Sequence, residues 1–185
     1  MESEKEMEMQ WEETSCLKGQ ILLRIQEKLK EPSNEKIKEK FPYQTQPQEI
    51  YMDEDGKIIF TLNLLEKQLE EGQLYSAVRE MQRMINHIYP ESIRNHARCM
   101  KVPAGMLGWL SFLTGGLSDD NCHIMFLMPV SGKMMLGSYH FSAGLEQEEK
   151  ENFFRMARSI QVIGTEQEKD TSYGKRVYGQ NNSHT

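Results

Sequence analysis

The chain has 185 residues, enough for one domain with a substantial hydrophobic core. It carries 22 Lys and Arg against 28 Asp and Glu, a formal net charge of −6. Six of the acids (Glu2, Glu4, Glu6, Glu8, Glu12 and Glu13) fall within residues 1–16, leaving a near-neutral body without the clustered cations a general nucleic-acid binder needs.

The acidic, aperiodic stretch 1–16 reads as a disordered arm, with Trp11 its one anchor. The single domain is then expected over residues 17–163. Gln20–Ile25 is a short apolar strand candidate, and Asn34–Lys40 has helical propensity before Phe41-Pro42 stops it. Gln48–Met52 and Lys57–Leu64 flank Asp53-Glu54-Asp55-Gly56, a hairpin turn signal. In the second of these strands Ile58, Phe60, Leu62 and Leu64 share one face. Glu71–Tyr89 is the clearest helix. Leu74, Ala77, Val78, Met81, Met84, Ile85 and Ile88 recur at three- and four-residue spacing, and Pro90 ends it.

Beyond the helix the period changes to two. Strands are expected over Ala97–Val102, Met106–Thr114, Asn121–Val130 and Lys133–Ser142, with connections short enough to force antiparallel neighbours. A last helix, Glu146–Ile160, opens on glutamates and ends near Arg155 and Arg158, complementing the helix dipole. Residues 164–185 are polar, their charges cancel, and they read as a disordered tail whose Asn181-Asn182-Ser183 sequon is idle in a cytoplasmic protein. Several late strands are apolar on both faces. The expected fold is therefore α/β of the α+β type, a mostly antiparallel six- to seven-stranded sheet with helices on both faces.

The N-terminus, MESEKEMEMQ, has no basic start and no apolar run of a secretory signal, and no stretch approaches the ~20 apolar residues that span a bilayer. Cys16, Cys99 and Cys122 are an odd number, far apart, as suits reduced thiols in a cytoplasm. Cofactor motifs fail in turn. Ser131-Gly132-Lys133 lacks the earlier glycine of a phosphate loop, Gly115-Gly116 lacks the third glycine of a dinucleotide fingerprint, and Leu110-Ser111-Phe112 lacks the glycines of a nucleophile elbow. Asp53–Gly56 cannot be a calcium loop, since its first and twelfth positions are Tyr51 and Leu62.

One constellation survives. If Ser131-Gly132 is a two-residue hairpin loop, His123 lies directly opposite His140, close enough to share a proton or a metal. Two histidines leave a zinc site incomplete, and His96-x-x-Cys99 could add ligands only from an adjacent strand. Pro129 is a potential bulge that would break the register. The pair is read first as cross-strand packing and second as a metal or acid–base site.

The 13 methionines are the compositional anomaly. Met81 and Met84 share the helical stripe, so core filling is the first reading and an adaptable apolar groove for a partner the second. Arg79, Arg83, Arg94, Arg98 and Lys101 outweigh Glu80 and Glu91, either a solvated face or an anionic docking patch.

Three local phrases resemble the Mog/PsbP-like fold group, which includes the photosystem protein PsbP, the Ran-binding import factor Mog and the bacterial DcrB-like proteins. They are Lys18-Gly19-Gln20-Ile21-Leu22-Leu23-Arg24-Ile25, Gln48–Asp53 (QEIYMD) and the closing Arg158-Ser159-Ile160. One departure is that Ile25 is followed by Gln26 where the group usually has proline. The resemblance covers roughly residues 18–162, implies an α/β/α sandwich, and brings no catalytic residue. It implies a non-enzymatic adaptor that binds another protein; the charge balance, the failed motifs and the hydropathy separately lead to an expectation of no nucleic acid, cofactor or membrane span. The alternatives are a chaperone for a secreted or toxin protein, and a small metal-dependent enzyme using His123 and His140. Partner contacts are expected at Met81, Met84, Arg79 and Arg83.

Overall fold

A computed structural model of the chain describes residues 10–42, 45–94, 96–115 and 120–164. Within these, ten strands and three α-helices follow one another in the order β1 (Trp11–Cys16), β2 (Ile21–Gln26), α1 (Asn34–Lys40), β3 (Glu49–Met52), β4 (Ile59–Gln68), α2 (Leu74–Ile88), β5 (Ile93–Arg94), β6 (Arg98–Val102), β7 (Gly105–Thr114), β8 (Asn121–Val130), β9 (Lys133–Ser142), α3 (Glu146–Ser159) and β10 (Gln161–Val162). Short 3-10 turns lead into α2 and α3.

Seven strands form one antiparallel sheet in the order β3-β4-β9-β8-β7-β5, with β6 also on the outer edge of β7. The expected antiparallel sheet with helices on both faces is present. A second, three-stranded sheet, β1-β2-β10, adds to it. Side-chain alternation divides the core in two. Phe60, Phe126, Tyr139 and Phe141 face β2 and α3, where Phe153, Met156 and Ile160 close the larger cluster. Leu110, Phe112, Leu127 and Met134 face the opposite way, against Leu74, Val78, Met81 and Ile85 of α2.

Two glycines set how closely these layers approach. A Cβ on Gly108 would lie 2.1 Å from Val78 Cγ2, so α2 rests directly on the β7 backbone. A Cβ on Gly137 would lie 2.0 Å from Phe126 Cζ, so the end of the Phe126 ring packs directly against the β9 backbone.

The arm expected over residues 1–16 requires correction in its second half; residues 1–9 lie outside the described residues. Trp11–Cys16 form strand β1, paired throughout with β2 from Trp11↔Gln26 to Cys16↔Ile21. The strand is an edge whose exposed side chains are Glu12, Glu13 and Ser15, and this polarity made it look solvated. It is held by full burial of Cys16, by the Lys30–Glu12 ion pair at 2.8 Å, and by the Arg155 guanidinium 4.8 Å above the Trp11 ring. The hairpin loop carries Leu17, Lys18 and Gly19 at positive φ. The expected tail begins at Gly164, the last described residue, so its remainder lies outside the described residues.

Candidate functional site

The β8–β9 hairpin turns at Ser131 (φ 49°) and Gly132 (φ 77°), the two left-handed residues of a type I′ loop. That turn fixes the register. Val130 pairs with Lys133, Pro129 with Met134 and His123 with His140, without the bulge that Pro129 threatened. The imidazoles meet Nδ1 to Nδ1 at 3.0 Å. Thr114 Oγ1 lies 2.8 Å from His123 Nε2, and the Phe112 ring stacks on His123 with centroids 4.7 Å apart.

Burial, and then the neighbouring His140, pushes the His123 pKa from 6.5 down to about 4. Burial, and then the charge of Lys40, also lowers that of His140. Both rings are therefore neutral near pH 7, with one Nδ1–H donating to the other Nδ1 lone pair. This pair can pass a proton between strands, but its facing nitrogens already satisfy each other. No third His, Cys, Asp or Glu joins them among the described residues. His96-x-x-Cys99 is not adjacent, because Cys99 pairs with Gly108 of β7 and β7 separates β6 from β8.

A second polar centre went unread in the sequence. Glu149, 1% exposed, receives hydrogen bonds from Tyr139 Oη (2.6 Å), Lys28 Nζ (2.9 Å), Gln26 Nε2 (3.2 Å) and Asn152 Nδ2 (3.2 Å). Burial pushes its pKa up, but these donors outweigh it and hold the carboxylate below its ordinary range. Its position was legible in principle, for Glu149 stands four residues before Phe153 and seven before Met156 on the buried stripe of α3. Gln26, where the Mog/PsbP-like phrase has proline, contributes an amide that a proline lacks. The group ties β2, β9 and α3 together and is a structural anchor.

The third region surrounds α2, which covers β7 and β8 but leaves the same face of β9 and β4 part-covered. Leu136, Ser138 and His140 of β9 and Asn63 and Leu65 of β4 are half-buried there. Between this face and α2 runs a groove of about 180 Å³, lined by Ala77, Met81, Met84, Met125, Met134 and Leu136, with Lys67 and Glu80 at its rim. The expected pair of methionines divides here. Met81 is buried at 5%, and Met84 is 51% exposed. Of the six most exposed large apolar or aromatic side chains among the described residues, four (Tyr75, Met84, Ile88 and Tyr89) belong to α2 and its C-cap.

On the opposite flank of α2 a cleft of about 450 Å³ is lined by Tyr75, Arg79, Gln82, Arg83, Asn86 and His96. The structure thus sets Arg79 and Arg83 apart from Met81 and Met84, one pair on each side of the helix. Of the other expected basic residues, Arg98 lies 6.0 Å over the Trp109 ring. The side chain of Arg94 lies outside the described residues.

This arrangement of an antiparallel sheet between one helix and a helix-plus-small-sheet layer is the Mog/PsbP-like fold. Cyanobacterial PsbP (CyanoP) from Synechocystis sp. PCC 6803 superposes with a TM-score of 0.57 at 9% identity, covering 83% of this chain and 92% of that one. A point mutant of protein Mog1 gives a TM-score of 0.50 at 12% identity, covering 85% and 98%. The Saccharomyces cerevisiae Ran-binding protein Mog1p gives 0.48 at 12% identity, covering 83% and 96%. At such identities the likeness is one of fold. No family model and no curated protein matches the sequence. Among the described residues, no helix is long and apolar enough to cross a membrane.

Proposed function

We propose that the chain is a non-enzymatic protein-binding module, an adaptor that docks another protein against the groove flank of α2. The observation that carries this reading is the exposure of Met84 (51%) and Ile88 (54%) beside an apolar groove. A helix that served only to cover the sheet would turn its apolar stripe fully inward. Here the stripe runs past the covered strands and presents the flexible Met84 and the branched Ile88 to solvent. The histidines support a lesser role, because two mutually bonded neutral imidazoles lack the third protein ligand a catalytic zinc site uses. Free thiols support a cytoplasmic setting for the proposed module.

The test is capture from native lysate with the tagged full chain, its Met84→Asp variant, and a His123→Gln/His140→Gln double variant, with metal analysis on each eluate. A stoichiometric protein partner, reduced about tenfold or more by Met84→Asp and retained by the double variant, is the expected result. Near-stoichiometric metal without a partner, lost in the double variant, contradicts the proposal and moves function to the histidines.

A further inference from the structure

The cleft on the other flank of α2 carries a different chemistry. Its polar lining consists of two guanidiniums, two side-chain amides, a phenol and an imidazole, with no carboxylate. Neither Arg79 nor Arg83 forms an ion pair or hydrogen bond among the described residues, and Glu80 lies on the groove side of the helix. Two exposed arginines left uncompensated on a chain of net charge −6 are a local excess of donors, not a consequence of composition.

The cleft floor is formed by His96 and Ala97, the residues that lead into β6. Strand β6 pairs with β7 along one edge, and among the described residues no strand pairs with its other edge. Ala97 and Cys99 turn toward the α2 cluster, and Lys101, exposed, continues that same alternate face. Arg83 and Arg79 therefore line a cleft beside a strand that has an unpaired edge with backbone groups to offer. Arginines at i and i+4 stand about 6 Å apart along a helix, close to the roughly 6.6 Å between alternate side chains of an extended chain.

From this match we propose that the cleft between α2 and β6 binds an extended acidic segment of a protein partner, with carboxylates at alternate positions paired to Arg79 and Arg83. The segment lies along the outer edge of β6 and takes up its unpaired backbone groups, while Gln82 and Asn86 add neutral hydrogen bonds. A nucleic acid is a poorer occupant, since the near-neutral body offers no extended cationic track for successive phosphates. This site is separate from the apolar groove and stands or falls independently of it.

The probe is a fluorescein-labelled decapeptide of alternating Glu and Val, titrated with the full chain and read by fluorescence polarisation. Saturable binding is expected, weakened about tenfold or more in Arg79→Glu/Arg83→Glu and in the milder Arg79→Gln/Arg83→Gln. It should weaken severalfold between about 50 and 300 mM salt and be unchanged by Met84→Asp. Both arginines are exposed, and thermal melts verify that the variants remain folded. Three results overturn the proposal: no saturable binding up to about 1 mM chain, a range reaching the weakest specific affinities; binding indifferent to the arginines; or oligothymidylate binding as tightly through the same arginines.

Discussion

The His123–His140 pair makes stability depend on pH in a calculable way. His123 titrates near 6.5 when unfolded and about 4 when folded. Between those values the unfolded chain binds the extra proton, so the stabilisation is complete above about pH 6.5 and is lost as pH falls toward 4. At pH 5 the loss from His123 amounts to about 2 kcal/mol, taking 1.36 kcal/mol per tenfold difference in proton affinity. His140, also lowered by burial and then by Lys40, adds in the same direction. Urea unfolding at pH 7.5 and pH 5 measures the difference for the native chain and for His123→Gln. The variant is less stable at both pH values but should lose about 2 kcal/mol less on acidification, while carboxylates shared by both proteins cancel. An identical loss in the two proteins refutes a buried neutral pair at this site.

Further outcomes follow from packing and burial. Gly108→Ala should cost about 1–3 kcal/mol by urea unfolding, because its Cβ falls 2.1 Å from Val78, whereas Gly72→Ala, with nothing within 4 Å, should be near neutral. Glu149→Ala strips the anion from Lys28 and the acceptor from Tyr139, and should cost about 3 kcal/mol in the same assay. Burial, tempered by the Tyr51 hydroxyl, raises the Cys16 thiol to about 11, and burial also raises Cys122 to about 11. Thiol titration of the native chain should therefore modify Cys99 first, the other two reacting on unfolding; equal rates would contradict their burial.

The parts of the fold legible in the sequence are those where local chemistry is strong. Asp53–Gly56 and Ser131-Gly132 are turn signals, and the second fixed the His123–His140 register without any structure. The α2 stripe likewise gave Leu74, Val78, Met81 and Ile85 as core. What escaped depends on long-range partners. Strand β1 shows two glutamates to solvent, and although its pairing with β2 is a local hairpin, the contacts that bury its ends come from far along the chain, Tyr51 against Cys16 and Arg155 over Trp11. The two-residue strands β5 and β10 are too short to carry a period.

The candidate site shows the same division. Periodicity places Met84 on the apolar stripe beside Met81, but cannot say where the covered part of the sheet ends, so the exposure of Met84 and Ile88 emerges only in three dimensions. The separation of Arg79 and Arg83 from those methionines was available from the helical wheel alone. That the arginines face a cleft floored by His96 was not, because it rests on the pairing of β6 with β7.

Site-specific photo-crosslinking tests the central claim, binding through α2, most directly. A benzophenone side chain replaces Met84 or Ile88 on α2, or Glu148 on the solvent side of α3, and the chain is irradiated in its native lysate. The account predicts one discrete crosslinked protein from each α2 position and none from Glu148. Crosslinks confined to α3, or none from either α2 position, would contradict it.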